Sequence, residues 1–310
     1  MPEIAKETLF LHHAEMGLGA WSWGDKSMWN YGHGYTDSDI EQAFDVSLAA
    51  GINLIDTAEV YGSGRSEILT GSLIKTAGTS ILVATKFMPF PWRLGRNALS
   101  RALEHSLERL GLDHVDLYQI HWPFPPLPVE YWVEQLSQAV RSGKARTAGV
   151  SNYSKMQMQH AYSVLAKYNI PLASNQVEYH LLNRTVEKNG LLDRCKELGV
   201  RLIAYSPLGK GLLTGKYTAE NPAPGLRSGK FNRVQKELPN LINLMTEIGK
   251  GHGGKVPAQV ALNWLICKGT LPIPGAKTGE QARQNAGALG WRLTVEEVKA
   301  LDDASDQFSK

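Results

Sequence analysis

Cysteine, long apolar runs and surplus charge of either sign are what this chain has least of. Cys195 and Cys267 are its 2 cysteines in 310 residues. That excludes a disulfide framework and leaves too few thiolates for a cysteine-built metal centre. Both thiols are expected in the apolar interior. No run of about 18 apolar residues occurs, and the first residues lack a basic segment followed by an apolar one. A soluble protein of a reducing compartment is expected, with no membrane partner. Lys and Arg number 33 against 30 Asp and Glu, a net charge of +3, which is too even a balance for a nucleic-acid footprint. A small polar or anionic ligand fits better. Hydrophobic residues make up 43% and charged residues 20%, the make-up of a globular chain with enough apolar side chain for a sizeable core. The length suits either one α/β barrel, a fold that runs to about 250 residues or more, or two domains of about 100 to 200.

Along the chain, short β-rich apolar runs alternate with amphipathic stretches of helical length. The runs are Met16–Ala20, Asn53–Asp56, Ile81–Lys86, Val115–His121, Arg146–Ser151, Ala173–Tyr179, Arg201–Tyr205 and Leu271–Pro274. Several have the continuous apolar character of strands buried on both faces, and they number about eight, as a closed barrel needs. Between them, Ser38–Ala50, Ser66–Lys75, Arg96–Leu110, Val129–Ser142, Lys155–Tyr168 and Val186–Leu198 carry apolar residues at helical spacing. Gly51, Gly111, Gly143 and Gly199 stand where left-handed caps would end these helices. After Tyr205 the alternation is interrupted by a Gly- and Pro-rich loop, Asn221–Lys230, and by helical stretches at Leu238–Lys250 and Pro257–Lys268. Further helices are expected at Gly279–Leu289 and from Val295, the latter capped by Thr294 with Glu297 three residues on. No linker of disordered composition divides the chain. A single (β/α)8 TIM barrel domain over residues 1–310 is therefore expected, with a doubly wound sheet as the alternative.

In parallel α/β folds, functional side chains stand at the carboxyl ends of strands. Asp56, Lys86 and His121 each end an apolar run, and Tyr61 follows Asp56 within Tyr61-Gly62-Ser63-Gly64. Singly, each has an ordinary reading: a helix cap, its ion-pair partner, a satisfied core histidine. Together they suit protonation of a developing alkoxide. A phenol has a pKa of about 10, so a tyrosine donor calls for a cation that lowers it. Lys86 would be that cation, Asp56 would keep it charged, and His121 would hydrogen-bond and orient a carbonyl oxygen.

With these residues in place, the sequence resembles the aldo-keto reductase superfamily. The matching stretches are Gly51-Ile52-Asn53-Leu54-Ile55-Asp56-Thr57-Ala58, Tyr61-Gly62-Ser63-Gly64-Arg65-Ser66-Glu67, Leu117-Tyr118-Gln119-Ile120-His121-Trp122-Pro123, Gly149-Val150-Ser151-Asn152-Tyr153, Asn175-Gln176-Val177-Glu178-Tyr179 and Ile273-Pro274-Gly275-Ala276-Lys277-Thr278. The resemblance implies a (β/α)8 barrel that uses NADPH, with a catalytic tetrad on Asp56, Tyr61, Lys86 and His121. It puts the nicotinamide carboxamide on Ser151, Asn152 and Gln176, and the stacking ring on Tyr205. The segment from Ser206 through Leu208 to Gly211 and Leu213 would fold over the pyrophosphate. Gly275, Lys277, Thr278, Gln281, Gln284 and Asn285 would hold the adenosine phosphate, with Lys277, and Arg283 as a second candidate, answering the 2′-phosphate. One branch of the family has a basic residue where Gly275 stands here.

Two apparent nucleotide motifs and one apparent metal cluster can be dismissed. Gly209-Lys210-Gly211 is not completed to G-x-G-x-x-G, because the next glycine is Gly215. Gly19-Ala20-Trp21-Ser22-Trp23-Gly24 has Asp25 where a phosphate loop needs lysine. His12, His13 and His33 have neither the spacing nor the carboxylates of a metal site.

The expected activity is reduction of an aldehyde or ketone by NADPH, in a monomer whose partner is a small carbonyl substrate. The rival is a non-enzymatic nicotinamide-nucleotide-binding regulator on the same barrel, as in the family's potassium-channel β subunits. Trp21, Trp23, Trp29, Trp92 and Trp122 lie near the expected strand ends or loops at the mouth and suggest an aromatic lining, while each taken singly fits core or surface packing equally well. Thr214–Gly229 and Gly287–Trp291 resemble a branch from photosynthetic organisms, so cytoplasmic and plastid-stroma locations both fit.

Overall fold

The structure is a computed structural model describing residues 6–218, 220–223 and 228–308. Eight parallel strands pair in chain order: β1 (Leu18–Gly19), β2 (Leu54–Asp56), β3 (Leu82–Phe87), β4 (Val115–Ile120), β5 (Ala145–Ser151), β6 (Leu172–Glu178), β7 (Arg201–Tyr205) and β8 (Leu271–Pro272). The sheet closes on itself where Gly17 N donates to Pro272 O and Gly19 N to Pro274 O, each at 3.0 Å. Gly19 permits that approach, since a Cβ there would lie 2.8 Å from Ile273 O. The outcome is the expected barrel rather than an open doubly wound sheet.

The expected elements recur with shifted ends. β1 and β8 are shorter than their apolar runs because regular pairing stops at the seam. The single helix expected over Val186–Leu198 is two, Thr185–Lys188 and Leu191–Leu198, parted at Gly190, whose φ is 71°. Gly51, Gly111, Gly143 and Gly199 all have positive φ, as caps require. Thr294 and Glu297 form the expected capping box of Val295–Ser305. Of the loop expected at Asn221–Lys230, residues 224–227 lie outside the described residues, and its end belongs to the helix Ser228–Val234. Cys195 is buried, but Cys267 is only partly so.

Apolar side chains fill the shell between strands and helices. Inside the barrel, Leu54, Ala84, Leu117, Ala173, Ile203 and Leu271 form a layer sealed by Leu11 of the helix Leu9–His13. That helix lies at the amino end of the strands, where Arg201, the first residue of β7, donates to Ala14 O at 3.2 Å. With the lower barrel packed and plugged, the carboxyl ends of the strands are the open face. A partly buried ionic cluster fastens the final helix: Glu187 accepts from Arg184 (2.8 Å), Tyr179 (2.7 Å) and Lys268 (3.0 Å), and Lys268 also reaches Asp302 at 3.0 Å.

Candidate active site

Above the apolar layer the barrel interior turns polar. Asp56 closes β2, Lys86 is the penultimate residue of β3 and His121 follows β4 directly. Tyr61 opens a short turn, Tyr61–Gly64, in which Gly62 and Ser63 take left-handed conformations. Lys86 Nζ donates to Asp56 Oδ1 at 2.5 Å and to Thr57 O at 2.8 Å, and it lies 3.3 Å from the Tyr61 hydroxyl. The Tyr61 and His121 rings meet edge to face, with centroids 5.6 Å apart. Lys86 and Asp56 are buried, and His121 is 8% exposed. All four expected residues therefore converge.

Their electrostatics follow from that burial. For Lys86, desolvation works against the charge, but the Asp56 carboxylate and Tyr61 outweigh it and hold the ammonium above its ordinary range. His121 is pushed well below the ordinary histidine range, first by desolvation and then by Lys86. Its Nδ1 is buried without a hydrogen-bond partner among the described residues. For Tyr61 the expected direction is reversed. Burial raises its pKa, Lys86 pulls it back, Asp56 raises it again, and the balance lies above the ordinary tyrosine value. The lysine acts in the expected sense, but desolvation of the phenolate is the larger effect.

Asp56, Tyr61 and His121 floor a cleft of about 880 Å³ that runs from Tyr61 to the amino end of the helix Gly279–Ala286, and Lys86 lies buried behind them. Ser151, Asn152 and Gln176 line it side by side. Ser151 Oγ donates to Gln176 O (2.9 Å), and Asn152 Nδ2 donates to His121 O and to Ser151 Oγ (both 3.1 Å). Gln176 Nε2 turns into the barrel and donates to Asp56 Oδ2 at 2.8 Å. Tyr205, Ser206, Leu208 and Gly211 line the next wall, where Ser206, Lys210 and Gly211 all have positive φ.

At the far end stand Gly275, Lys277, Thr278, Gln281, Gln284 and Asn285. Thr278 caps the helix by accepting from Gln281 N at 3.3 Å, and Asn285 Nδ2 donates to Gly275 O at 3.3 Å. Lys277 Nζ donates to Trp29 O at 3.2 Å and lies 4.7 Å from the ring centroids of Trp29 and Tyr35.

Some expected neighbours are elsewhere. Arg283 is not among the cleft residues and pairs with Glu280 at 2.6 Å. Trp21, Trp29 and Trp122 line the cleft. Trp23 is core, its indole donating to Ala276 O at 3.0 Å. Trp92 is 73% exposed and stacks on Phe90. Lys210, within the segment expected over the pyrophosphate, also lines the cleft, and so does Lys216, which the sequence reading gives no role. Lys210 Nζ sits 5.6 Å from the centroid of Trp21. Their signal in the sequence is two basic residues flanking the glycines of one loop.

Among the described residues no helix is long and apolar enough to cross a membrane. Residues 15–306 match the profile described as the aldo/keto reductase family. The chain is 41% identical over 308 residues to the chloroplastic pyridoxal reductase of Arabidopsis thaliana, covering 95% of this chain and 84% of that one. Among solved structures, it is similar to the glycerol dehydrogenase of Gluconobacter oxydans, with a TM-score of 0.83 and 30% identity over 95% of this chain and 92% of the other. It is also similar to an aldo-keto reductase from Klebsiella pneumoniae in complex with NADPH, with a TM-score of 0.72 and 31% identity over 93% and 90%.

Proposed function

The chain belongs to the aldo/keto reductase family and is a nicotinamide-nucleotide-dependent oxidoreductase of carbonyl groups; from that premise we propose that it reduces an aldehyde or ketone with NADPH, using Asp56, Tyr61, Lys86 and His121. The observation that carries this reading is the chain of contacts from Asp56 through Lys86 to the Tyr61 hydroxyl at the floor of the cleft. The cleft residues fit the nucleotide. Ser151, Asn152 and Gln176 offer donors and acceptors for a carboxamide, Tyr205 offers a ring to stack on, and Lys210, Lys216 and Lys277 offer cations to phosphates beside a helix N-terminus. When bound, the dihydronicotinamide supplies a hydride to the carbonyl carbon.

Tyr61 gives its proton to the oxygen as alkoxide character develops. Its raised pKa keeps it protonated, and an alkoxide is basic enough to take that proton. Lys86 stabilises the phenolate left behind, and Asp56 keeps Lys86 charged in the dry barrel. Neutral His121 donates a hydrogen bond to the same oxygen and fixes its direction. The fold acts as a single barrel domain and a monomer in an aqueous, reducing compartment; similarity to a chloroplastic enzyme makes the plastid stroma as fitting a location as the cytoplasm.

The test is oxidation of NADPH with pyridoxal and a panel of simple aldehydes. Formation of the alcohol in step with NADP⁺ is expected. Tight NADPH binding without turnover on any carbonyl would point instead to a nucleotide-binding regulator.

A further inference from the structure

Gln119 sits two residues before His121 in a matching stretch but has no role assigned by the sequence, yet it lies inside the barrel directly beneath the tetrad and is fully buried. It is a polar residue in the otherwise apolar end of β4, paired in register with Lys86 on one side and Gly149 on the other. Its Nε2 donates to Asp56 Oδ2 at 3.3 Å, and its Oε1 accepts from Gln176 Nε2 at 3.4 Å and from Ser174 Oγ at 3.5 Å. Asp56 is thus held on both oxygens, by Lys86 on Oδ1 and by the two glutamines on Oδ2. The space for this comes from the neighbouring strand. A Cβ on Gly149 would lie 2.9 Å from Gln119 Cγ and 2.4 Å from Ser174 Oγ, so any larger residue there would displace both side chains.

We propose that Gln119, admitted by Gly149, is a positioning residue that holds the Asp56 carboxylate in the orientation Lys86 needs. The proposal rests on the tetrad reading above. Without Gln119, Oδ2 would keep only the bond from Gln176, whose amide would in turn lose its contact with Gln119 Oε1, so the carboxylate would be less firmly fixed and costlier to keep charged in a dry interior. Lys86 and, through it, Tyr61 would then lose their fixed geometry. Gln119 is not placed against the carbonyl or the hydride, and the Gln176 amide it also contacts at 3.4 Å stays anchored by its shorter bond to Asp56 at 2.8 Å, so the loss of rate on its removal should act through Asp56.

The test is a double-mutant cycle in the NADPH-dependent assay. Gln119→Leu should lower kcat roughly tenfold, the scale of one hydrogen bond to a charged group, while NADPH affinity measured by fluorescence stays within about twofold. In an Asp56→Asn background the same substitution should cost less than about twofold, because the group it acts on is gone. Gln119→Met serves in place of the leucine variant if that one does not fold. An equal loss of kcat in both backgrounds, or no loss in the wild-type background, overturns the role of Gln119. Tyr61→Phe and Asp56→Asn distinguish this from failure of the underlying reading: if both keep the full rate, the tetrad assignment is what falls.

Discussion

The Tyr205 hydroxyl donates to Asn152 Oδ1 at 3.0 Å, a bond that passes over β6 and ties the end of β7 to the residue after β5. Asn152 holds a left-handed conformation, φ 62°, which asparagine tolerates better than most residues. Its amide nitrogen is already engaged by His121 O and Ser151 Oγ. One side chain therefore sets the tilt of the ring proposed to stack on the nicotinamide and the direction of the amide proposed to meet its carboxamide.

Tyr205→Phe keeps the ring and removes the tie. NADPH affinity should fall by about 2- to 10-fold, the range of a single neutral hydrogen bond. Tyr205→Ala removes the stacking face as well and should bind at least about tenfold more weakly than the phenylalanine variant, given the worth of aromatic contacts. Fluorescence titration measures both. Equal losses would show that the ring is not a stacking surface.

Much of this architecture was legible because a parallel barrel buries both faces of its strands, so that the strands read as near-continuous apolar runs. Asp56, Lys86 and His121 stood out because each interrupts such a run at its carboxyl end. Gln119 interrupts one too, but its importance depends on the absence of a side chain at Gly149 on the next strand, and no spacing within β4 reports that. Trp23 and Trp92 take the core and surface alternatives to the aromatic lining for a related reason. An aromatic residue near a strand end can turn into the core, as Trp23 does to reach Ala276, or out to a neighbouring ring, as Trp92 does with Phe90. The direction of the Tyr61 shift departs from the sequence expectation because the cation next to it can be read from the chain, whereas the depth at which the pair is buried cannot.

Lys277 already spends its ammonium on Trp29 O and on two aromatic faces. A 2′-phosphate at the adjoining helix N-terminus would compete for it with a full charge-assisted contact. Lys277→Ala should weaken NADPH by about 1.5 to 3 kcal/mol and leave NADH, which lacks that phosphate, nearly unaffected. Dissociation constants for the two nucleotides decide it, and equal losses would show that Lys277 does not read the phosphate.

Glu187 predicts an acid-sensitive anchor for the last helix. Burial alone would raise its pKa, but hydrogen bonds from Arg184, Tyr179 and Lys268 lower it to about 2. A folded value below the unfolded one contributes stability that is complete above about pH 4.5 and is lost as pH falls toward 2. The contribution is roughly 1 to 3 kcal/mol on the scale of about 1.4 kcal/mol per unit. Glu187→Gln should therefore lower Tm at pH 7, and the gap from wild type should narrow steadily as pH is lowered from 4.5 to 2. A gap independent of pH would assign the loss to packing instead.

The division of labour between Tyr61 and His121 has its own pH signature. Desolvation, followed by the charge of Lys86, holds His121 well below the usual histidine range, and desolvation holds Tyr61 above the usual tyrosine range. Neither group should then change charge between about pH 7 and 9, so the wild-type reduction rate should be flat there as far as these two residues are concerned. Tyr61→Phe should lose about 10² to 10⁴-fold in turnover, the worth of a general acid, with NADPH affinity intact. His121→Ala should lose turnover with the same intact affinity, because what it removes is the hydrogen bond that orients the carbonyl. Were His121 the proton donor, the phenylalanine variant would stay active at low pH, and its rate would fall as pH rose through the histidine's depressed pKa, where only the protonated imidazole could donate. Profiles of the two variants measured side by side from pH 4 to 9 separate these cases, and a histidine-like descent in Tyr61→Phe would transfer the proton from Tyr61 to His121.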